Sequence, residues 1–227
     1  MKKLIIILLL ACLFINLFTF SSPLSAANSI SLNQREKKLI ESGEIIVREI
    51  DVGKMKGRTF EAIGIINASQ IQVLQVLTDY EKYPEFMPNV SHIEILKKSR
   101  NEAILNYTLT LPLGKIKKYR LRICVTKPDI QTSQIQWQYL IWPGLKKEET
   151  IRDTTGYWLI ETRSKNSSLV LYHVYTDPGP IPFGLGWIVD VLSKNSVPEA
   201  LIQTKIRTEQ IYSVKISERN VEKGAQP

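Results

Sequence analysis

The sequence predicts an α+β fold: one curved antiparallel sheet wrapped around a long C-terminal helix. Three observations carry the prediction. Apolar residues recur with period two from Val90 to Asp177, whereas "ASQIQVLQVLTDY" and the stretch after Ser196 show helical spacing. The order along the chain is a strand, two short helices, a run of strands and a terminal helix. A half-apolar sheet and a one-sided helix each need a partner, and curling one around the other buries both.

The elements follow in order. Ile30 to Gly43 reads as a short polar lead-in helix, and Glu44 to Ile50 as extended chain. After a tight segment at Lys56-Gly57, "RTFEAIGIIN" is a strand. Ile71, Leu74 and Leu77, with Val73 and Val76 beside them, mark a helix that Ser69 and Gln72 open as a capping box. Pro84 and Pro88 then limit "TDYEKYPEFMPNV" to one or two helical turns.

The strands come next. "EAILNYTLTL" places Ala103, Leu105, Tyr107, Leu109 and Leu111 on one face. "KKYRLRICV" turns Tyr119, Leu121, Ile123 and Val125 inward, with Lys118, Arg120 and Arg122 outward. "QIQWQYLIW" alternates Ile135, Trp137, Tyr139 and Ile141 against glutamines, and "GYWLIET" and "LVLYHVYT" complete a meander with one wet face. "PFGLGWIVDVLSKN" reads as a short helix. Ser196 and Glu199 form a second capping box opening the long one, whose stripe is Leu201, Ile202, Ile206 and Ile211.

The first 27 residues have a basic start (Lys2, Lys3), an apolar run from Leu4 to Phe20 and a small-residue end at Ser25-Ala26-Ala27. That layout predicts a secretory signal peptide over 1–27 and a periplasmic or secreted protein. The alternatives are a retained membrane anchor, and lipidation at Cys12 within the lipobox-like Leu9-Leu10-Ala11-Cys12. The expected layout thereafter is a lead-in over 28–43, one domain over 44–213 and a frayed polar tail over 214–227.

The 227-residue chain carries a formal charge of +8, which falls to +6 without Lys2 and Lys3. Export disfavours nucleic acid as the partner of this basic balance. Lys115, Lys117, Lys118, Arg120 and Arg122, extended by Lys146 and Lys147, form a basic cluster. It suits an anionic membrane surface, or else a strand edge kept charged against aggregation. With Cys12 removed, Cys124 is the only cysteine, expected as a small buried hydrophobe.

No catalytic constellation is evident. Asp79 is expected to cap the short helix at Tyr80, and Glu81 and Glu85 to share a solvated face. The histidines, His92 and His173, have no neighbours at metal-ligand spacing, so neither a metal nor a cofactor is expected. Aromatic residues on apolar strand faces say more, because large apolar side chains with polar tips suit a lipid or polyprenyl pocket. Simple core packing is the other account of them.

Two motifs add a resemblance. In "VLTDYEKYPEFMPNV", residues Leu77, Asp79, Tyr80, Tyr83, Pro84, Phe86 and Pro88 match a pattern of polyketide cyclases and coenzyme-Q-binding START proteins. "GYWLIE" at Gly156–Glu161 and "YHVYTDPGPIPFGLGWIVD" at Tyr172–Asp190 are similar to segments of lipid-transfer START domains. Over roughly Glu44 to Tyr212 the chain thus resembles the helix-grip fold of the START, polyketide-cyclase and Bet v 1-like (SRPBCC) superfamily.

The resemblance implies a long cavity between the concave sheet and the terminal helix, taking sterols, phospholipids, quinones or polyketides in relatives. The residues expected at the ligand are Tyr83, Phe86 and Met87 near one end, and Tyr107, Leu109, Tyr119, Trp137, Tyr139, His173 and Tyr175 on the strands. Trp187 is expected in the closing segment. The leading reading is an exported protein that holds or transfers a hydrophobic ligand. The alternatives are a cyclase/aromatase using His173 or Tyr107 as acid or base, and an interaction protein whose own side chains fill the cavity.

Overall fold

The computed structural model describes residues 29–51, 53, 57–179 and 190–224. The expected leader with Cys12, Trp187 and most of the short helix before Asp190 lie outside the described residues. The sheet has eight strands: β1 (Ile46–Ile50), β2 (Arg58–Ile66), β3 (Val90–Lys98), β4 (Glu102–Leu111), β5 (Lys115–Thr126), β6 (Thr132–Leu140), β7 (Asp153–Ser164) and β8 (Ser167–Asp177). They pair antiparallel in the order β1-β2-β8-β7-β6-β5-β4-β3. The meander from β3 to β8 thus returns to β2. The link from β2 across to β3 is helical: α2 (Gln70–Thr78), a 3-10 turn (Tyr80–Lys82) and α3 (Tyr83–Phe86).

These helices and the terminal helix α4 (Ser196–Gly224) cover the concave face, completing the predicted helix-grip fold. The Ser69–Gln72 capping box forms as expected, and Val73, Val76 and Leu77 bury the inner face of α2. The second box does not form. A π-helical turn (Val191–Asn195) precedes α4, so Ser196 lies within continuous helical backbone and its hydroxyl donates to the Val191 carbonyl instead. Helix α4 continues to Gly224, through part of the stretch expected to fray.

The outer face is drier than predicted. Helix α1 (Gln34–Glu41) lies against β1, β2, β7 and β8, where Ile40, Ile46, Ile63, Leu159 and Leu171 form a second core. Its N-terminus carries a capping box of Asn33 and Glu36. An ion network beside this core ties α1 to the sheet. Arg48 bonds Glu36 at 2.7 Å and Glu61 at 3.3 Å, and His173 Nδ1 lies 2.9 Å from Glu61.

The Arg48 bond holds Glu36, and the His173 bond holds Glu61, below the usual carboxylate range. A lowered carboxylate pKa stabilises the folded state above its unfolded value, and that contribution is lost as pH falls through the folded one. Helix α1 is therefore expected to stay docked at neutral pH and to loosen below about pH 4. Methyl NMR of Ile40 would register this as a shift towards its random-coil position while cavity methyls still report a folded core.

Candidate functional site

Between the concave face and α4 lies a cavity of about 130 Å³. Its walls come from β4 and β5 (Tyr107, Leu109, Tyr119, Leu121, Ile123), from β6, β7 and β8 (Ile135, Trp137, Thr154, Trp158, Tyr172, Val174, Thr176), and from Ile151 in the loop before β7. Leu192, Ser196, Val197 and Ala200 close it from the π turn and α4, and Tyr83 and Met87–Val90 close one end. No acidic, basic or histidine side chain is among the described lining residues.

The opening motif builds that end. Ring stacking centres on Tyr83, which meets Tyr80, Phe86 and Tyr107 edge-on at centroid distances of 5.7, 5.6 and 6.3 Å. The Tyr83 hydroxyl donates 2.7 Å to the Leu77 carbonyl at the C-terminus of α2, which fixes the turn that follows. Removing that buried bond with Tyr83→Phe is expected to cost about 1 kcal/mol, measurable by urea unfolding.

Of the carboxylates of this motif, Glu85 alone makes an ion pair among the described residues. Asp79 sits at the N-cap of the 3-10 turn, yet its side chain makes no capping bond, contrary to the expectation. Glu85 is exposed as predicted and pairs with Lys82 at 2.8 Å and Arg207 at 2.7 Å, pinning α3 to α4.

The structure brings together Tyr83, Met87, Tyr107, Leu109, Tyr119 and Trp137 of the expected set. Phe86 is buried behind Tyr83 without lining the cavity. Tyr139 is half-buried in a separate groove with Leu96, Lys97, Ile104 and Arg120 and does not line the cavity. His173 and Tyr175 lie on the opposite face of β8: His173 stacks on Tyr157 at 4.9 Å beside Glu61, and Tyr175 packs beneath Gly57. The cavity face of β8 is instead Tyr172, Val174 and Thr176.

Sequence reasoning missed Tyr172 and Trp158, whose rings stack at 4.0 Å. Gly156 explains the Gly-x-Trp motif. A Cβ there would overlap the His173 carbonyl and the Trp137 ring, so only glycine lets Trp137 lie flat across β7 beside Trp158.

The basic cluster breaks up. Lys117 shares the inner register with Leu109 and is 5 % exposed, its ammonium donating 2.9 Å to the Thr150 carbonyl, and burial lowers its pKa. Arg122 pairs with Glu102, and Arg120 bonds Asn106 and lies over the Trp142 ring. Cys124 is exposed on the outer face, not buried, because the alternation that turns Ile123 inward turns it outward.

An eight-stranded helix-grip sheet closed by a long C-terminal helix over an uncharged cavity defines the class. The model of the family described as polyketide cyclase / dehydrase and lipid transport matches residues 66–178. The chain belongs to the START/Bet v 1-like superfamily.

Solved structures agree on the fold. A STAR-related lipid transfer protein from Xanthomonas axonopodis is 19 % identical, with a TM-score of 0.61 over 73 % of this chain and 93 % of that one. Human StAR-related lipid transfer protein 5 is 13 % identical, with a TM-score of 0.63 over 75 % of this chain and 84 % of that one. The di-domain ARO/CYC StfQ from the steffimycin biosynthetic pathway is 16 % identical, with a TM-score of 0.50 over 70 % of this chain and 52 % of that one. No curated protein matches the chain in sequence.

Proposed function

We propose that this protein is a binding module that holds a hydrophobic small molecule or lipid in the cavity, working at the cell envelope after export. The uncharged, aromatic-rich cavity wall carries the reading. The family model and the lipid-transfer neighbours support it. A volume of about 130 Å³ is small beside pockets of roughly 300–1,000 Å³ for drug-sized ligands. In this conformation it takes a compact ligand or one segment of a longer one. The π turn at Val191–Asn195, whose Leu192 lines the cavity, is a natural place to open it further.

The cyclase reading keeps Tyr107 as a hydrogen-bond donor inside the cavity but loses His173 to the outer face. Burial raises the Tyr107 pKa well above its ordinary value, which suits a donor and not a base.

The loading surface follows from the tips beside the cavity. Leu113 is held at φ 60° in the β4–β5 turn and is 81 % exposed, and Ile116 just beyond the turn is also exposed. Lys115 stands exposed between them in the chain. Apolar tips beside a lysine suit an anionic leaflet, at about 1 kcal/mol per basic residue near the surface.

Native mass spectrometry of protein produced with its leader, followed by organic extraction, tests the proposal. A co-purifying hydrophobic molecule and a mature chain beginning near Asn28 are expected. An empty cavity with no uptake from labelled phosphatidylglycerol vesicles would overturn the binding role, and an intact N-terminus on a cytosolic protein would overturn export.

A further inference from the structure

The hydroxyl and amide groups of the cavity wall fall into two groups. Most are already engaged inside the protein. Tyr83 donates to Leu77, the Asn89 amide to Ser196, Ser196 to Val191, and Thr154 to the Tyr175 carbonyl with Thr176 alongside. The hydroxyls of Tyr107, Tyr119 and Tyr172 make no hydrogen bond to any described residue, although all three residues line the cavity.

These tyrosines converge from separate strands. Tyr107 and Tyr119 are direct cross-strand partners with rings stacked at 5.0 Å and 8°. Tyr172 stands on β8, stacked on Trp158 and tilted against Trp137. Tyr107 is 6 % exposed. The hydroxyls of the three tyrosines are open to the cavity, unlike the sealed hydroxyls of Ser133 and Thr150, so three donors with no partner among the described residues face the space a ligand would fill.

We infer that these hydroxyls form a donor belt for a ligand that is apolar, electrically neutral and equipped with acceptor oxygens, such as a ketone, quinone or ester. The inference rests on the cavity-binding reading and names the ligand class for that site. Burial raises the pKa of each phenol, so at neutral pH they are donors and remain uncharged. An ionised carboxylate is disfavoured, because no cation among the described lining residues would balance it. A pure hydrocarbon is disfavoured too. It would fill the cavity without offering the three hydroxyls an acceptor.

The test compares three probes of equal chain length, 2-decanone, decane and decanoate, titrated into full-length protein and followed by methyl NMR. In the wild type, 2-decanone and decane are expected to shift cavity methyls, with decanoate at pH 7.5 at least roughly tenfold weaker than 2-decanone. The triple variant Tyr107→Phe, Tyr119→Phe, Tyr172→Phe keeps the ring stacking. It is expected to bind 2-decanone roughly five- to tenfold more weakly while holding decane as well as before or better. The three single variants give the same contrast in smaller steps if the triple variant is poorly folded.

Equal losses for 2-decanone and decane, or no loss for 2-decanone, would overturn the donor belt while leaving the binding role intact. Failure of both neutral probes to bind the wild type would instead overturn the binding role, and the belt with it.

Discussion

Replacing Ala200 with phenylalanine is expected to abolish ligand uptake while the protein stays folded. Ala200 is 4 % exposed on the inner face of α4 and lines the cavity directly. A benzyl group at this Cβ projects into space that a ligand would occupy, and the about 130 Å³ available lets it enter with little displacement of neighbours. Overpacking a filled core costs about 1–3 kcal/mol, and filling a void costs less, so stability is expected to hold or rise. Affinity for an apolar probe falls at least about tenfold. Urea unfolding checks the first expectation and a 2-decanone titration the second. Val174→Phe, from the opposite wall, provides an independent block.

The largest stability effect is expected at Gly156, on strand β7. A Cβ there meets the His173 backbone carbonyl on one side and the Trp137 ring on the other. The carbonyl belongs to the β7–β8 ladder and cannot withdraw without loosening pairing, so the clash strains that ladder and displaces the Trp137 ring as well. Gly156→Ala should therefore cost about 2–3 kcal/mol and push Trp137 towards the cavity. The midpoint of urea unfolding should fall with little change in slope. Ligand affinity should fall as well, because the displaced indole takes up the ligand's space.

Much of this was legible in the sequence. The fold class followed from the switch of period along the chain, and β4 and β5 show the predicted alternation, from Ala103 to Leu111 and from Tyr119 to Val125. There one face is wet, so parity is unambiguous. In β8 it is not. Leu169, Leu171, His173 and Tyr175 on one parity, and Val170, Tyr172, Val174 and Thr176 on the other, are both largely apolar because both faces are covered. The outer face meets α1 and the residues before it, a cover that a short polar helix gave no reason to expect. With two buried faces, choosing the wrong parity moves every cavity residue of the strand to the outside. His173 and Tyr175 were expected at the ligand for that reason, while Tyr172 was overlooked.

The register of a neighbouring strand held the missing signal. Gly156 opposes Trp137 across the β6–β7 ladder, which places Trp158 on the cavity face and, through β7–β8 pairing, Tyr172 and Val174 with it. Lys117 shows the converse limit. Its charge suggested the wet face, but its register with Leu109 buries it. Alternation outranked side-chain polarity, and the Thr150 carbonyl satisfies the ammonium in part.

The central claim is that an apolar molecule binds inside this cavity, and methyl NMR with a titrated apolar ketone tests it most directly. Binding in the cavity predicts that shifts concentrate at Leu109, Leu121, Ile123, Ile135, Val174 and Leu192, which line it. The methyls of Ile40, Ile63 and Leu171 in the outer core should stay in place. Shifts confined to the outer core or to exposed Leu113 and Ile141, or none at any concentration the probe can reach, would contradict the account.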